Sequence, residues 1–207
     1  MLKFYYAPKS CALASHIALE EAGADYETVR LNLAANQQRE AAYTAVNPKG
    51  RVPSLETERG VLTETPAILA FIAQTHPAAR LAPFDDPFAL AQVQAFNAYL
   101  CATVHVAHAH KYRGYRWADQ ESSFADMRNA APRAVGACFE LIESTMFKGP
   151  WVMGETFTIC DPYLFTVAGW MEEDGVDPKL VPRIVDHRNR MAERPAVIRA
   201  LAAEDAA

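Results

Sequence analysis

The sequence feature that most constrains this fold is a change in hydrophobic periodicity near residue 76. Before it, strand-like runs such as Leu2–Tyr6 alternate with helical patterns such as Cys11–Ala22, which Gly23 ends. After it, strand signals nearly stop, and apolar residues recur at spacings of three and four. One such series is Leu90, Val93, Phe96, Leu100 and Val104. The pattern predicts a small α/β domain followed by an all-helical domain.

The first part predicts the element order β-α-β-α-β-β-α. Strands are expected near 2–6, 26–31, 54–57 and 61–63. Thr65 is expected to cap the last helix, with Pro66 at its first position, and this helix runs to about Thr75. The stretch 83–87 has the composition of a linker. We therefore predict domains at 1–76 and 87–207, joined by a linker at 77–86.

Length, charge and cysteine spacing exclude several classes of protein. A chain of 207 residues can bury a stable core without disulfide bonds. Its 20 basic and 25 acidic residues give a net charge of -5, so no overall positive field favours nucleic-acid binding. The four cysteines form no CxxC pair, which argues against a disulfide framework and against a zinc site.

The chain shows no signal for export or membrane insertion. Its N-terminal residues lack the apolar run of a secretory signal peptide. The uncharged stretch Pro87–His110 has Gln, Asn, Thr and His side chains spread along it, which predicts a buried helix and not a membrane span. We therefore expect a cytoplasmic protein.

Cys11 is the first candidate for chemistry. It follows Ser10 and opens a predicted helix, where backbone N–H groups and the helix dipole stabilise a thiolate. A cysteine there can act as a nucleophile, or it can pack the helix start as a small apolar residue. Cys101, Cys138 and Cys160 lie within apolar helical patterns and are predicted to be inert core thiols.

Two further features suit a peptide ligand. A cis bond at Val52-Pro53 would expose the Val52 backbone at a sheet edge for pairing with an extended ligand, while a trans proline at a strand start has the same sequence. Glu64-Thr65 precedes a helix whose first N–H groups can bind a carboxylate or be satisfied by simple capping. Together with the Cys11 thiol, these features suit a short peptide with a central thiol and terminal carboxylates, as in glutathione.

Five motifs extend this argument to the whole chain. They are YAPKSCALASHI at 6–17, AVNPKGRVP at 45–53, LTET at 62–65, GETFTICD at 154–161 and MAERP at 191–195. With these motifs in this order, the sequence resembles bacterial glutathione transferases of the cysteine-containing beta class. In the fourth motif, Thr158 is expected to cap a helix and Asp161 to complete a capping box.

The resemblance implies the cytosolic glutathione transferase fold, with a thioredoxin-like N-terminal domain, an all-helical C-terminal domain and a homodimer. Glutathione would be the co-substrate. Cys11 would face its sulfur, Val52 would pair with its cysteinyl unit, and Pro53 would be the cis-proline. Glu64 and Thr65 would bind its γ-glutamyl end.

The helical domain supplies the other expected site residues. The resemblance gives His105 a catalytic role, while His108 is expected to be structural or substrate-facing. No acidic residue accompanies these histidines in the sequence and HExxH is absent, so no metal is predicted. The aromatic and basic segment 112–117 suits a wall for an aromatic or anionic electrophile, or a solvated helix end. Its candidate substrate-binding residues are Tyr112, Arg113, Arg116 and Trp117.

Two positions depart from the family's pattern. Beta-class relatives usually offer glutathione a lysine after the second strand, where this chain has Leu33–Asn36. The asparagine usually contributed by the first long helix aligns with Ala98, next to Asn97. Either glutathione binds more weakly without these residues, or another residue such as Arg51 compensates.

Three functions are compatible with these residues. The leading hypothesis is a detoxifying transferase that stabilises the glutathione thiolate and directs it at a small hydrophobic electrophile. The second is a glutathione-dependent disulfide reductase or reductive lyase, in which Cys11 forms a mixed disulfide with glutathione. The third is a non-catalytic binding protein on the same fold, motivated by the missing lysine and asparagine.

Overall fold

The computed structural model describes residues 1–205. Its strands β1 to β4 span Leu2–Tyr6, Tyr26–Arg30, Ser54–Thr57 and Gly60–Thr63. Its helices α1 to α10 span Ala12–Ala22, Ala41–Thr44, Thr65–Thr75, Pro87–Tyr99, His105–Arg113, Glu121–Leu141, Cys160–Ala168, Met171–Asp174, Pro182–Ala192 and Pro195–Asp205. Short 3-10 turns lie at Gln37–Arg39, Pro77–Ala79, Gly114–Arg116 and Pro178–Leu180, and π turns at Leu100–Val104 and Ile142–Met146. The predicted order β-α-β-α-β-β-α is confirmed, and helices follow it.

The four strands form one mixed sheet in the order β2-β1-β3-β4. β1 pairs in parallel with β2, so that Tyr6 lies opposite Arg30. β3 runs antiparallel to β1, with Leu55 opposite Phe4, and β4 returns antiparallel to β3. Because β1 and β2 are parallel, their carboxyl ends lie at the same edge of the sheet. The loop that carries Cys11 leaves from that edge.

The described chain divides into two compact units. One contains residues 1–90 and 191–205, and we call it the discontinuous unit; the other, the central unit, contains residues 91–190. The chain passes from the first to the second within α4 and returns within α9. The boundaries 1–76, 77–86 and 87–207 remain a prediction of how the domains divide along the sequence.

In the discontinuous unit, α10 packs against α1. Glu21 accepts two hydrogen bonds from Arg194, at 2.5 and 2.8 Å. The carboxylate of Glu204, buried near the end of α10, lies 3.5 Å from Nδ1 of the buried His16 and accepts a hydrogen bond from the Lys9 backbone N–H at 3.3 Å. Since α1 is also covered by α3 and the sheet, it is apolar around most of its circumference, and every residue from Ala12 to Leu19 is buried.

In the central unit, the predicted capping box precedes α7. Asp161 accepts the Thr158 backbone N–H at 2.7 Å, and the Thr158 hydroxyl accepts the Cys160 N–H at 3.3 Å. The fully buried Asp161 carboxylate also accepts a hydrogen bond from the Val152 backbone N–H at 2.8 Å and lies 3.0 Å from Nε2 of the buried His187. The predicted hydrogen bonding between Thr158 and Asp161 is present, although Ile159 and not Thr158 is the cap residue of α7, and the same carboxylate ties α7 to α9.

Long helices dominate the chain after residue 86, and the predicted apolar series from Leu90 to Val104 lies on α4 and the π turn after it. α6 continues from Glu121 to Leu141 through Pro132, which therefore does not end it. The stretch Pro87–His110 forms α4, the π turn after it and most of α5. Within residues 1–205, no helix combines the length and the apolar character needed to cross a bilayer.

Candidate active site

Cys11 immediately precedes Ala12, the first residue of α1. The Ser10 hydroxyl accepts the Ala12 backbone N–H at 3.2 Å and donates to the Ala7 carbonyl at 2.7 Å. Lys9, with a φ of 60°, turns the chain into this position. Because the helix N-terminus carries partial positive charge, negative charge on the half-buried Cys11 sulfur is favoured.

The Val52 backbone lies beside this thiol. The Val52-Pro53 bond is cis, as the sequence suggested, and Cys11 Sγ donates a hydrogen bond to the Val52 carbonyl oxygen at 3.5 Å. The carbonyl of Arg51, one residue earlier, accepts the Tyr43 hydroxyl at 2.6 Å and the Asn47 side-chain amide at 2.8 Å. The loop is thereby held so that one carbonyl is engaged within the fold and the next reaches the thiol.

Gly50 is required in this loop. It has a φ of 59°, and a Cβ atom there would lie 2.8 Å from the Gln38 carbonyl oxygen. Any other residue would displace the 3-10 turn Gln37–Arg39 or the loop itself. The exposed Arg51 side chain follows this glycine directly.

Glu64 turns the chain from β4 into α3, with a φ of 73°. The predicted cap was wrong by one residue: Glu64 occupies the cap position, and the buried Thr65 and then Pro66 begin the helix. The chain reverses direction at Glu64, because this residue and not Thr65 has the positive φ. Its carboxylate pairs with the ammonium of Lys49, which also donates to the Thr63 hydroxyl at 2.7 Å.

The segment that lacks the family's lysine borders a depression of about 550 Å³ at the carboxyl ends of β1 and β2. The lining residues are Ala7, Pro8, Arg30, Leu31, Asn32, Leu33, Ala34 and Gln37. Arg30 is the basic member of this set, and its side chain is exposed. Asn97, the neighbour of the position where the family has asparagine, is buried in α4.

The predicted catalytic histidine belongs to the central unit. His105 is the first residue of α5 and is half-buried, with its ring 5.3 Å from that of Trp170 and 6.2 Å from that of His108. His108 Nδ1 lies 2.8 Å from Asp174 Oδ2, and its ring stacks on Trp170 at 4.4 Å. His108 thus has an acidic partner that the neighbouring sequence does not reveal, because Asp174 lies 66 positions away.

The aromatic and basic segment 112–117 ends α5. The Tyr112 hydroxyl donates to Glu173 at 3.0 Å, and burial together with this carboxylate raises the pKa of Tyr112 to about 12. The Trp117 ring lies 4.3 Å from that of His110. Tyr112 and Trp117 remain 47% and 46% exposed. The substrate-binding roles of both, and of Arg113 and Arg116, remain predictions.

Sequence reasoning missed the residues that hold the candidate groups. Lys49 belongs to the motif at 45–53, but its partner Glu64 lies 15 positions away. Hydrophobic periodicity does not predict a contact over that distance in sequence. Asp174 and Trp170 meet His108 only because α5 and the residues around α8 pack together in the central unit. Among residues 1–205, no three His, Cys, Asp or Glu side chains are grouped closely enough to hold a metal ion.

Two family models match this chain. The glutathione S-transferase N-terminal domain matches residues 1–74, and the glutathione S-transferase C-terminal domain matches residues 105–195. A curated relative, glutathione S-transferase GstA of Escherichia coli O157:H7, is 31% identical over 98% of each chain. The maleylacetoacetate isomerase of Pseudomonas aeruginosa is 27% identical over 94% of this chain and 93% of its own.

Solved structures give the same picture. A glutathione transferase homologue from Sulfitobacter, crystallised with bound glutathione, superposes with a TM-score of 0.94 at 44% identity, covering 100% of this chain and 98% of that one. A bacterial beta class glutathione S-transferase from Sphingomonas chungbukensis superposes at 0.84 with 32% identity, covering 98% of both chains. The predicted fold, a thioredoxin-like domain followed by a helical domain, is confirmed.

Proposed function

Because this chain belongs to the glutathione S-transferase family, we propose that it is a glutathione transferase that conjugates the glutathione thiolate to small hydrophobic electrophiles. Glutathione is its co-substrate, as it is the ligand in the Sulfitobacter homologue. The beta class, the homodimer, the detoxifying role and cytoplasmic residence belong to the same proposal. The Sphingomonas beta class structure supports the class assignment.

The observation that carries the proposal is the distance of 3.5 Å between Cys11 Sγ and the Val52 carbonyl oxygen. An extended peptide that pairs with a strand-edge backbone offers its own N–H to such a carbonyl. If the cysteinyl N–H of glutathione takes the Val52 oxygen, the ligand's sulfur comes within reach of Cys11, since both groups contact one atom. The α1 N-terminus then lies beside the place where a thiolate must be stabilised.

The ends of the ligand have separate partners in this proposal. Glu64 and Thr65 bind the γ-glutamyl end, and Arg51 supplies a cation from the rigid loop. His105, at the start of α5, is the proposed second catalytic group. Tyr112, Arg113, Arg116, Trp117 and His108 are the proposed electrophile-binding residues.

Calorimetry with glutathione tests the binding step. We expect heat of binding at submillimolar to millimolar glutathione, and a loss of at least about tenfold in affinity for Glu64→Gln, because a charge-assisted hydrogen bond is removed. An absence of heat at millimolar glutathione would contradict both enzyme hypotheses. It would also contradict the hypothesis of a non-catalytic protein that binds glutathione.

A second candidate is glutathione-dependent disulfide exchange, which the Cys11 thiol at the helix start favours. The Cys11 thiolate would attack the glutathione sulfur of a glutathione mixed disulfide, form a Cys11–glutathione disulfide and release the other thiol; the thiolate of a second glutathione would then displace Cys11, and the two glutathiones would leave as glutathione disulfide. Cys11→Ala separates the two reactions. Conjugation of a chloronitrobenzene should survive at least in part, whereas disulfide exchange should be lost.

Cys101→Ala is the matched control, because it removes another half-buried thiol and belongs to the central unit. It should leave both reactions unchanged. Full-rate disulfide exchange in Cys11→Ala would show that this reaction does not use Cys11. Since one curated relative is a maleylacetoacetate isomerase, isomerisation of maleylacetoacetate is assayed beside conjugation, and a rate far above conjugation would replace the proposed reaction.

A further inference from the structure

An exposed ion pair joins the loop before Val52 to the turn before α3. The Lys49 ammonium contacts a Glu64 carboxylate oxygen and donates to the Thr63 hydroxyl at 2.7 Å. The two charged side chains are 45% and 51% exposed. Thus an exposed cation and an exposed anion lie in contact within the discontinuous unit, and the anion immediately precedes α3.

The backbone at both charged residues has a defined conformation. The Lys49 N–H donates to the side-chain oxygen of the buried Asn47 at 3.1 Å, and the Gly50 N–H to the Asn47 carbonyl at 2.9 Å. Glu64 has a φ of 73°, a conformation that costs energy for a residue with a side chain. Such strained positions recur at ligand-binding sites. The strain here fixes the direction in which the carboxylate leaves the chain.

The pair can exchange partners at little cost. Exposed ion pairs contribute little to stability, because water solvates the separated charges well. A ligand with an ammonium and a carboxylate on one carbon offers each charge a new partner: its ammonium binds Glu64 and its carboxylate binds Lys49. All four charges stay paired throughout. An amine alone or a carboxylate alone would leave one protein charge without its partner.

We propose that Lys49 is a specificity residue of this site, which selects ligands that keep the α-carboxylate on the carbon whose amine Glu64 binds. The inference rests on the proposed function, in which Glu64 meets the γ-glutamyl end of glutathione. A γ-glutamyl peptide carries both charges on its α-carbon, because its peptide bond is made through the side chain. An ordinary peptide N-terminus carries only the ammonium, so the pair discriminates against it.

Calorimetry with three thiol-blocked ligands tests this assignment. They are S-methylglutathione, the same peptide without the α-carboxylate (4-aminobutyryl in place of γ-glutamyl) and the same peptide without the α-amine (glutaryl). The wild type should prefer S-methylglutathione over each analogue by about tenfold or more. In Lys49→Met, the preference over the 4-aminobutyryl peptide should fall to about twofold, while the preference over the glutaryl peptide persists.

Arg59→Met is the matched control, because it removes one exposed positive charge from the turn between β3 and β4. It should behave as the wild type. Lys49→Arg keeps a cation and should retain most of the preference, which guards against a folding defect in Lys49→Met; thermal melts of all variants accompany the titrations.

Two results would overturn the inference while leaving the proposed function intact. In one, Lys49→Met keeps the full preference for the α-carboxylate. In the other, it binds S-methylglutathione more tightly than the wild type, which would mean that Lys49 only masks Glu64. If the wild type binds none of the three ligands, the proposed function fails as well.

Discussion

At the residue scale, the four thiols differ in their surroundings. Cys160 is fully buried and donates to the Val93 carbonyl at 3.5 Å, and burial raises its pKa well above the ordinary value. Cys138 is also buried, while Cys11 and Cys101 are half-buried, so the expectation of a core position for Cys101 was wrong. We predict that iodoacetamide modifies Cys11 at least about tenfold faster than Cys160 in the native protein, because alkylation needs an accessible thiolate. Peptide mass spectrometry gives the rates, urea-unfolded protein provides the equal-rate reference, and equal native rates would contradict the prediction.

Tyr5 gives a prediction for alkaline pH. Its hydroxyl donates to Glu56 at 2.8 Å, and burial together with this carboxylate raises the pKa of Tyr5 to about 12. An unfolded tyrosine titrates near pH 10, so the folded state holds this proton more tightly. The resulting stabilisation is present below about pH 10 and is lost as pH rises through about 12. Urea denaturation of Tyr5→Phe should therefore show a smaller fall in stability over that window than the wild type; a parallel fall would refute it.

Local signals explain which site residues could be predicted. Cys11, Val52 and Glu64 each stand beside a helix start or a proline, so their positions follow from neighbouring residues. Lys49 and Asp174 could not be assigned partners, because their contacts depend on turns and packing between distant segments.

At the element scale, the capping box before α7 supports a prediction for stability. Asp161 is fully buried and binds two backbone N–H groups and His187. Asp161→Ala should lower the free energy of unfolding by about 3–5 kcal/mol, because it leaves buried partners unpaired. Urea denaturation followed by circular dichroism measures the loss. Asp177→Ala removes an exposed cap that accepts the Lys179 N–H at 2.9 Å, and it should cost about 1 kcal/mol or less. Similar losses in the two variants would contradict the argument.

Element types were predictable, and element ends less so. Hydrophobic periodicity predicted β1, α1 and β3, because each packs an apolar face on the core and its apolar residues recur with the period of a strand or a helix. The start of α3 was misplaced, since Glu64 and not Thr65 adopts the conformation that reverses the chain. α6 continues through Pro132 because the loss of one backbone hydrogen bond is outweighed by the burial of its apolar face, which includes Ala131 and Val135.

At the scale of the whole molecule, the discontinuous unit needs residues from both ends of the described chain. We predict that a chain ending at Arg190, which lacks α10, loses more than about 3 kcal/mol of stability in that unit, because His16 loses its buried partner Glu204 and α1 loses an apolar cover. Hydrogen exchange of the α1 amides reports on this unit directly. Arg199→Ala, which removes the ion pair of an exposed arginine with Glu20 and a hydrogen bond to the Glu20 carbonyl, should cost about 1 kcal/mol or less. Native-like protection of α1 in the shortened chain would refute the prediction.

The contact between Glu204 and the Lys9 backbone also has a consequence for the order of events during translation. Residues 1–90 leave the ribosome long before residues 191–205, with the whole central unit synthesised in between. The loop that carries Cys11 therefore waits, without its buried carboxylate, until the distant helix emerges and docks. A polypeptide released early would carry Cys11 on a loop that lacks the contact between Glu204 and the Lys9 backbone.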